Sequence, residues 1–111
     1  MLEITNPITS ERLQIAQYDL KNKMDLSSAK KSCLELGIGW RLPNINELEL
    51  IHKELHLNGL GDFENDSYWS ISKAGDWDDP YDCYFLFSFN SGKIDFNSSV
   101  KAFYVRAVRT I

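Results

Sequence analysis

The stretch "AGDWDDPYDCY", residues 74 to 84, gathers Asp76, Asp78, Asp79 and Asp82 around Trp77 and Tyr81, with Tyr84 just beyond. Carboxylates crowded this way can hold a calcium ion, which takes six to eight oxygens. The aromatics between them can stack on a sugar or anchor a partner protein. The plainer account is a solvated acidic turn, since Asp79-Pro80 is ordinary turn chemistry. This stretch is the candidate ligand surface, with Asp76, Asp78, Asp79 and Asp82 as the candidate calcium ligands.

Two other groups have the residue types for chemistry. Glu49, His52 and His56 recur at helical spacing and could ligate zinc for a metal-dependent hydrolase. Their order, "HKELH", is not the His-Glu-x-x-His of metalloproteases, where the Glu serves as general base. Cys33 and Cys83 could support thiol chemistry, yet both fall on apolar faces, where a thiol behaves as a small hydrophobe. Asn65-Asp66-Ser67 and Asn97-Ser98-Ser99 fit the glycosylation pattern but point to nothing without a secretion signal.

Composition narrows the classes further. A chain of 111 residues with 43% hydrophobic and 25% charged content is sized for one globular domain, 1–111. A net charge of −4 argues against nucleic acid and sulfated polysaccharide, which select clustered Lys and Arg. No segment approaches the length of a membrane span. The N-terminal stretch lacks the apolar run of a signal peptide, so the chain as it stands is expected in the cytoplasm, or outside it if this is a mature or excised domain.

The positioning elements follow from periodicity. "ERLQIAQYDL" alternates like a half-buried strand. Asp25 offers an N-cap for a helix burying Leu26, Ala29, Cys33 and Leu36, stopped by Gly37. Pro43 forces Leu42 to be extended, and Asn44 with Glu47 forms a capping box opening a helix over 44–56 with Ile45, Leu48, Ile51 and Leu55 inward. "WRLPN" is then a corner, with Trp40 filling the space between the helices and Arg41 satisfying stranded carbonyls. "SYWSIS" reads as a strand. "DCYFLFSF" places Cys83, Phe85, Phe87 and Phe89 on one face, and Asn90-Ser91-Gly92 is a three-residue hairpin loop with Gly92 left-handed. "KIDF" returns, and "AFYVRAVRTI" is a closing strand. A strand, two helices and an antiparallel run give an α+β fold.

"WRLP" before a helical "EL", then "YWS", an aromatic strand with its Gly turn, and "YVRAVR" together resemble the C-terminal domain family of bacterial collagen-like adhesins. That family was formerly labelled a domain of unknown function. The resemblance covers about residues 13 to 109 and implies a C-type-lectin-like fold, with two helices packed on an antiparallel sheet and the terminal strands close together. It implies a structural role for Trp40, Arg41, Pro43, Tyr68, Trp69, Gly92, Tyr104, Arg106 and Arg109. It also implies that ligands bind at the long excursion between strands, here the 74–84 loop. The chain departs from the family at Ala107, where members carry a cysteine able to bridge to the helix-one cysteine, so Cys33 and Cys83 are expected to be free. The calcium triplets of sugar-binding lectins are absent too. The expected function is a non-catalytic ligand-binding or protein-interaction module for a protein or carbohydrate. The alternative is an enzyme using Glu49, His52 and His56 with a metal, or Cys33 and Cys83 as thiols.

Overall fold

The computed structural model describes residues 2–111. Six strands and two helices appear in the order β1 (Leu2–Thr5), β2 (Arg12–Ile15), α1 (Leu26–Glu35), α2 (Ile45–Glu54), β3 (Ser67–Lys73), β4 (Cys83–Ser88), β5 (Ile94–Ser98) and β6 (Val108–Thr110), with one 3-10 turn, His56–Asn58, after α2. They form two three-stranded antiparallel sheets, β1-β2-β6 and β3-β4-β5. The architecture is α+β, and a radius of gyration of 13.1 Å is that of a compact chain of this length. Among the described residues no helix is long and apolar enough to cross a membrane.

Both helix starts are set by local chemistry. The Asp25 carboxylate accepts from the Ser28 N–H at 2.8 Å, which satisfies a donor that the helix cannot. Asn44 Oδ1 accepts from the Glu47 N–H and Glu47 Oε1 from the Asn44 N–H, each at 2.8 Å, so the capping box is complete. The same Glu47 carboxylate takes both guanidinium nitrogens of Arg41, at 2.7 and 2.9 Å. Arg41 therefore clamps the corner to the cap, and its bond to a carbonyl, that of Leu42, is the longer one at 3.3 Å.

The sheet β3-β4-β5 has a hydrophobic cluster on each face. Tyr68 and Phe87, paired across β3 and β4, join Leu48, Ile51 and Leu55 of α2 with Ile15, Val108 and Phe89. The neighbouring pair, Trp69 and Leu86, points the other way, into a second cluster with Leu26, Ala29 and Cys33 of α1, Leu42, Val105 and Ala107. Alternation along two adjacent strands thus serves two cores at once.

Several expectations are corrected. β1 has no counterpart in the sequence reading; it pairs with β2 from Leu2↔Ile15 to Thr5↔Arg12, and β2 is shorter than the 11–20 run. Leu36 is the C-cap of α1, still in right-handed helical conformation, and it is exposed where the helix ends before Gly37. Trp40 is half-buried and lines a surface cleft with Gln14, Ile15, Ala16, Gln17 and Leu36, under the guanidinium of Arg109 at 5.0 Å. It does not fill an interhelical core. "AFYVRAVRTI" is not one strand. Only Val108–Thr110 pairs with β2, while Phe103 and Tyr104 bridge Met24 and Tyr68, tying the second sheet to the first. The β4–β5 loop spans residues 89–92, one longer than expected, because Ser88 N–H closes it on the Lys93 carbonyl; Gly92 is left-handed at φ 73°.

Candidate functional site

A sharp change of direction follows β3. The Ala74 N–H bonds to the Cys83 carbonyl at 2.9 Å, so residues 75 to 82 form a closed excursion whose ends are held together. Inside it the bonds are local. Asp79 N–H reaches the Asp76 carbonyl at 3.1 Å, Tyr81 N–H reaches Asp79 Oδ1 at 2.9 Å, and Asp82 N–H reaches the Asp79 carbonyl at 3.2 Å. Asp79 is thus spent on turn chemistry. Asp82, at φ 48°, anchors the far end: its carboxylate takes Lys73 Nζ at 3.0 Å and the Ser99 hydroxyl at 2.9 Å. Those two contacts, Lys73 first, hold its pKa below the ordinary carboxylate value.

What the excursion presents outward is aromatic. Trp77 is 89% exposed and Tyr81 72%. Beside them Ala74, Gly75, Asp79, Cys83, Phe85 and Phe96 line a cleft of about 330 Å³. Phe85 and Phe96 face each other across β4 and β5, on the same sheet face as the core pair of Tyr68 and Phe87. The first cluster covers Phe87 and stops short of Phe85 and Cys83, which are half-buried. The cleft thus has an apolar floor, and the excursion that supplies Gly75 and Asp79 to it also carries the two exposed aromatics.

The remaining candidates are dispersed. Tyr84 is buried in the second cluster, with Lys30 and Lys73 ammonium groups 5.3 and 5.1 Å from its ring, so it belongs to the scaffold and not to the loop surface. Among the described residues no group of three His, Cys, Asp or Glu side chains is placed to hold a metal ion, so neither the four aspartates nor Glu49, His52 and His56 converge. Glu49 lines a groove with Asn6, Pro7 and Ile8 of the β1–β2 loop. The His52 ring packs on Phe87 and Phe89, with centroids 5.1 and 5.4 Å away, and His56 Nε2 meets Asn65 Oδ1 at 2.9 Å. Burial first, and the neighbouring His56 second, lower the His52 pKa.

Both cysteines are free. Cys33 is fully buried beside Ala107 in the second cluster, and burial pushes its thiol up to about 11, so it is a poor nucleophile at neutral pH. Cys83 is half-buried and lines the cleft, which corrects the reading of two inward thiols: the β4 face that carries it leaves the core at this end.

The resemblance implies a structural role for Arg106 and Tyr68, but sequence reasoning missed the partner that joins them, Asp19. Arg106, 1% exposed, donates from Nε to Asp19 Oδ1 at 2.7 Å, from Nη1 to the carbonyls of Ala16 and Gln17 at 3.1 and 3.4 Å, and from Nη2 to that of Asp62 at 3.2 Å, with Phe63 stacked 4.1 Å beneath it. The Tyr68 hydroxyl donates to Asp19 Oδ2 at 2.6 Å and accepts from the Glu64 N–H at 2.8 Å. Burial, and then this bond to Asp19, push the phenol well above its usual pKa. Nothing near Asp19 in sequence announces a buried partner. The floor of the cleft was easier to find: Ile94, Asp95, Phe96 and Asn97 alternate with period two opposite an aromatic strand.

A comparison with protein-family models finds no match for the chain, and a search of curated proteins finds none either.

Proposed function

We propose that this chain is a non-catalytic binding module of C-type-lectin-like fold, taking a protein or carbohydrate ligand on the surface around residues 74–84. The fold part of the reading is supported by terminal strands that pair through β2 in one sheet, by two helices, and by the long excursion joining β3 to β4 in the other. The resemblance to the collagen-like adhesin domain family implies the same fold. The observation that carries the function is Trp77, 89% exposed on the excursion whose Gly75 and Asp79 line the apolar cleft. An indole held in water has a large area to cover on binding, roughly 25 cal/mol for each Å² removed from water.

The test is to screen immobilised glycans and peptides with the intact protein and with Trp77→Ala. The variant should lose at least tenfold in affinity for whatever the intact protein retains, a loss of about 1.4 kcal/mol. Unchanged binding by Trp77→Ala across the screen would sink the reading. Calorimetric titration with calcium, run on the intact protein and on the Asp78→Asn, Asp79→Asn double variant, decides whether a cation takes part.

A further inference from the structure

We propose that the open edge of β5 takes an extended peptide of alternating apolar and basic residues as an added antiparallel strand. This rests on the binding surface proposed above and gives its partner a chemistry. Of the outer strands, two are covered by the chain itself. β3 is bridged by Tyr104, whose carbonyl accepts from the Trp69 N–H at 3.0 Å. β6 is bridged by Arg41, which exchanges bonds of 2.8 and 2.9 Å with Val108. Among the described residues β1 and β5 have no strand on their outer side. β1 shows water a charged pair, Glu3 with Arg12. β5 shows Ile94 and Phe96, 48% and 58% exposed.

The ladder fixes which backbone groups are open. Ser88 N–H bonds to the Lys93 carbonyl and Ser99 N–H to the Asp82 carbonyl, each at 3.0 Å. With Leu86↔Asp95 and Tyr84↔Asn97 in register between them, the peptide groups of Asp95 and Asn97 turn toward β4, and those of Ile94 and Phe96 turn away. The outward N–H groups of Phe96 and Ser98 donate to the side chains just before them, Asp95 Oδ1 and Asn97 Oδ1, both at 2.8 Å. Such a bond satisfies an edge donor in the absence of a neighbour and exchanges for a strand carbonyl when one arrives. The open row ends at Ser98, whose carbonyl is taken by the Lys101 N–H.

The side chains then choose the peptide. A strand laid along β5 sets apolar residues opposite Ile94 and Phe96, next to Phe85 and the cleft, and a residue on the other face opposite Asp95. Asp95 is exposed, and among the described residues neither it nor Asp76 or Asp78 has an ion-pair partner, so a lysine or arginine fits there. A second copy of this chain fits worse, since it would bring two acidic loops together on a protein of net charge −4.

The probe is fluorescein-labelled Val-Lys-Val-Lys-Val, capped at both ends and followed by anisotropy and by amide hydrogen exchange. Binding should slow exchange at Ile94 and Phe96 about tenfold or more. In the antiparallel register the valine N–H groups face β5. Backbone N-methylation of the valines should therefore abolish binding, and N-methylation of the lysines should spare it. Phe96→Pro removes an outward donor with no loss to β4 and should abolish binding; Asp95→Lys should weaken it about tenfold. If Phe96→Pro fails to fold, the two methylated peptides still decide. The proposal falls if neither peptide binds, if the valine-methylated peptide binds as well as the parent, or if Ile94 and Phe96 exchange at unchanged rates. It also falls if those amides become protected with rising protein concentration alone, which would make the occupant a second copy. Trp77→Ala separates this from the broader reading. Loss of binding there with silent N-methylation keeps the loop surface and removes strand addition, and the reverse pattern keeps strand addition and removes the loop.

Discussion

Arg106 and Asp78 are both charged residues beside aromatics, and they sit at opposite extremes of this molecule. Arg106 is 1% exposed, and its donors reach Asp19 and carbonyls from two separate segments. Asp78 is exposed in a loop whose hydrogen bonds all close within a few residues or tie its end to Lys73 and Ser99. The buried network joins residues that are remote in sequence, which makes it scaffold: losing Arg106 removes the cation from Asp19 and the donor from three carbonyls at once. The loop gathers residues that are adjacent in sequence, and water can replace any contact it loses. Charge clustered along the chain marked a surface, and charge scattered along the chain marked the core.

The sharpest way to break that contrast is Arg106→Ala. It leaves the partly buried Asp19 without its cation and the carbonyls of Ala16, Gln17 and Asp62 without their donor, and should cost about 3 kcal/mol in urea unfolding. A change below about 1 kcal/mol would show that the network is as dispensable as the loop. Trp40→Ala tests the margin between the regions. Because Trp40 is half-buried under Arg109, its truncation should cost about 1–2 kcal/mol, less than a fully buried tryptophan such as Trp69.

A smaller effect belongs to His52. Its folded pKa lies below the ordinary 6.5, from burial and then from His56, so the unfolded chain binds that proton at higher pH than the folded one. Its contribution to stability is present above pH 6.5 and declines as pH falls through the interval down to the folded value. His52→Gln should flatten the melting temperature over that window, and an undiminished slope would assign the pH dependence to other groups.

The cysteines compare core and cleft directly. Native-state alkylation should modify Cys83 and spare Cys33, whose thiol is held up to about 11, while unfolding in urea should expose both. Equal native rates would mean the second cluster opens readily. The smallest expected change in stability is for the Asp78→Asn, Asp79→Asn pair. Stability should move by less than about 0.5 kcal/mol, since an amide oxygen at position 79 can still accept from the Tyr81 N–H. A large loss would show that the loop is part of the scaffold after all.

Local signals settled a good part of this protein. Asp25, the Asn44–Glu47 capping box, the break at Pro43 and the left-handed Gly92 act over a few residues, so their chemistry is complete in the sequence. The alternation of β4 was likewise visible, as was the acidic, aromatic character of residues 74–82. Only the tertiary structure decided which side of each strand is covered. Phe85 and Phe87 have the same sequence pattern, yet one borders a cleft and the other lies in the core, because the first cluster reaches Phe87 and not Phe85. The pairing of Arg106 with Asp19, the bridge of Tyr104 to Tyr68 and the bare edge of β5 depend on which segments come to lie side by side. Such contacts join residues tens of positions apart, and nothing local to either partner specifies the other until the chain has closed around both.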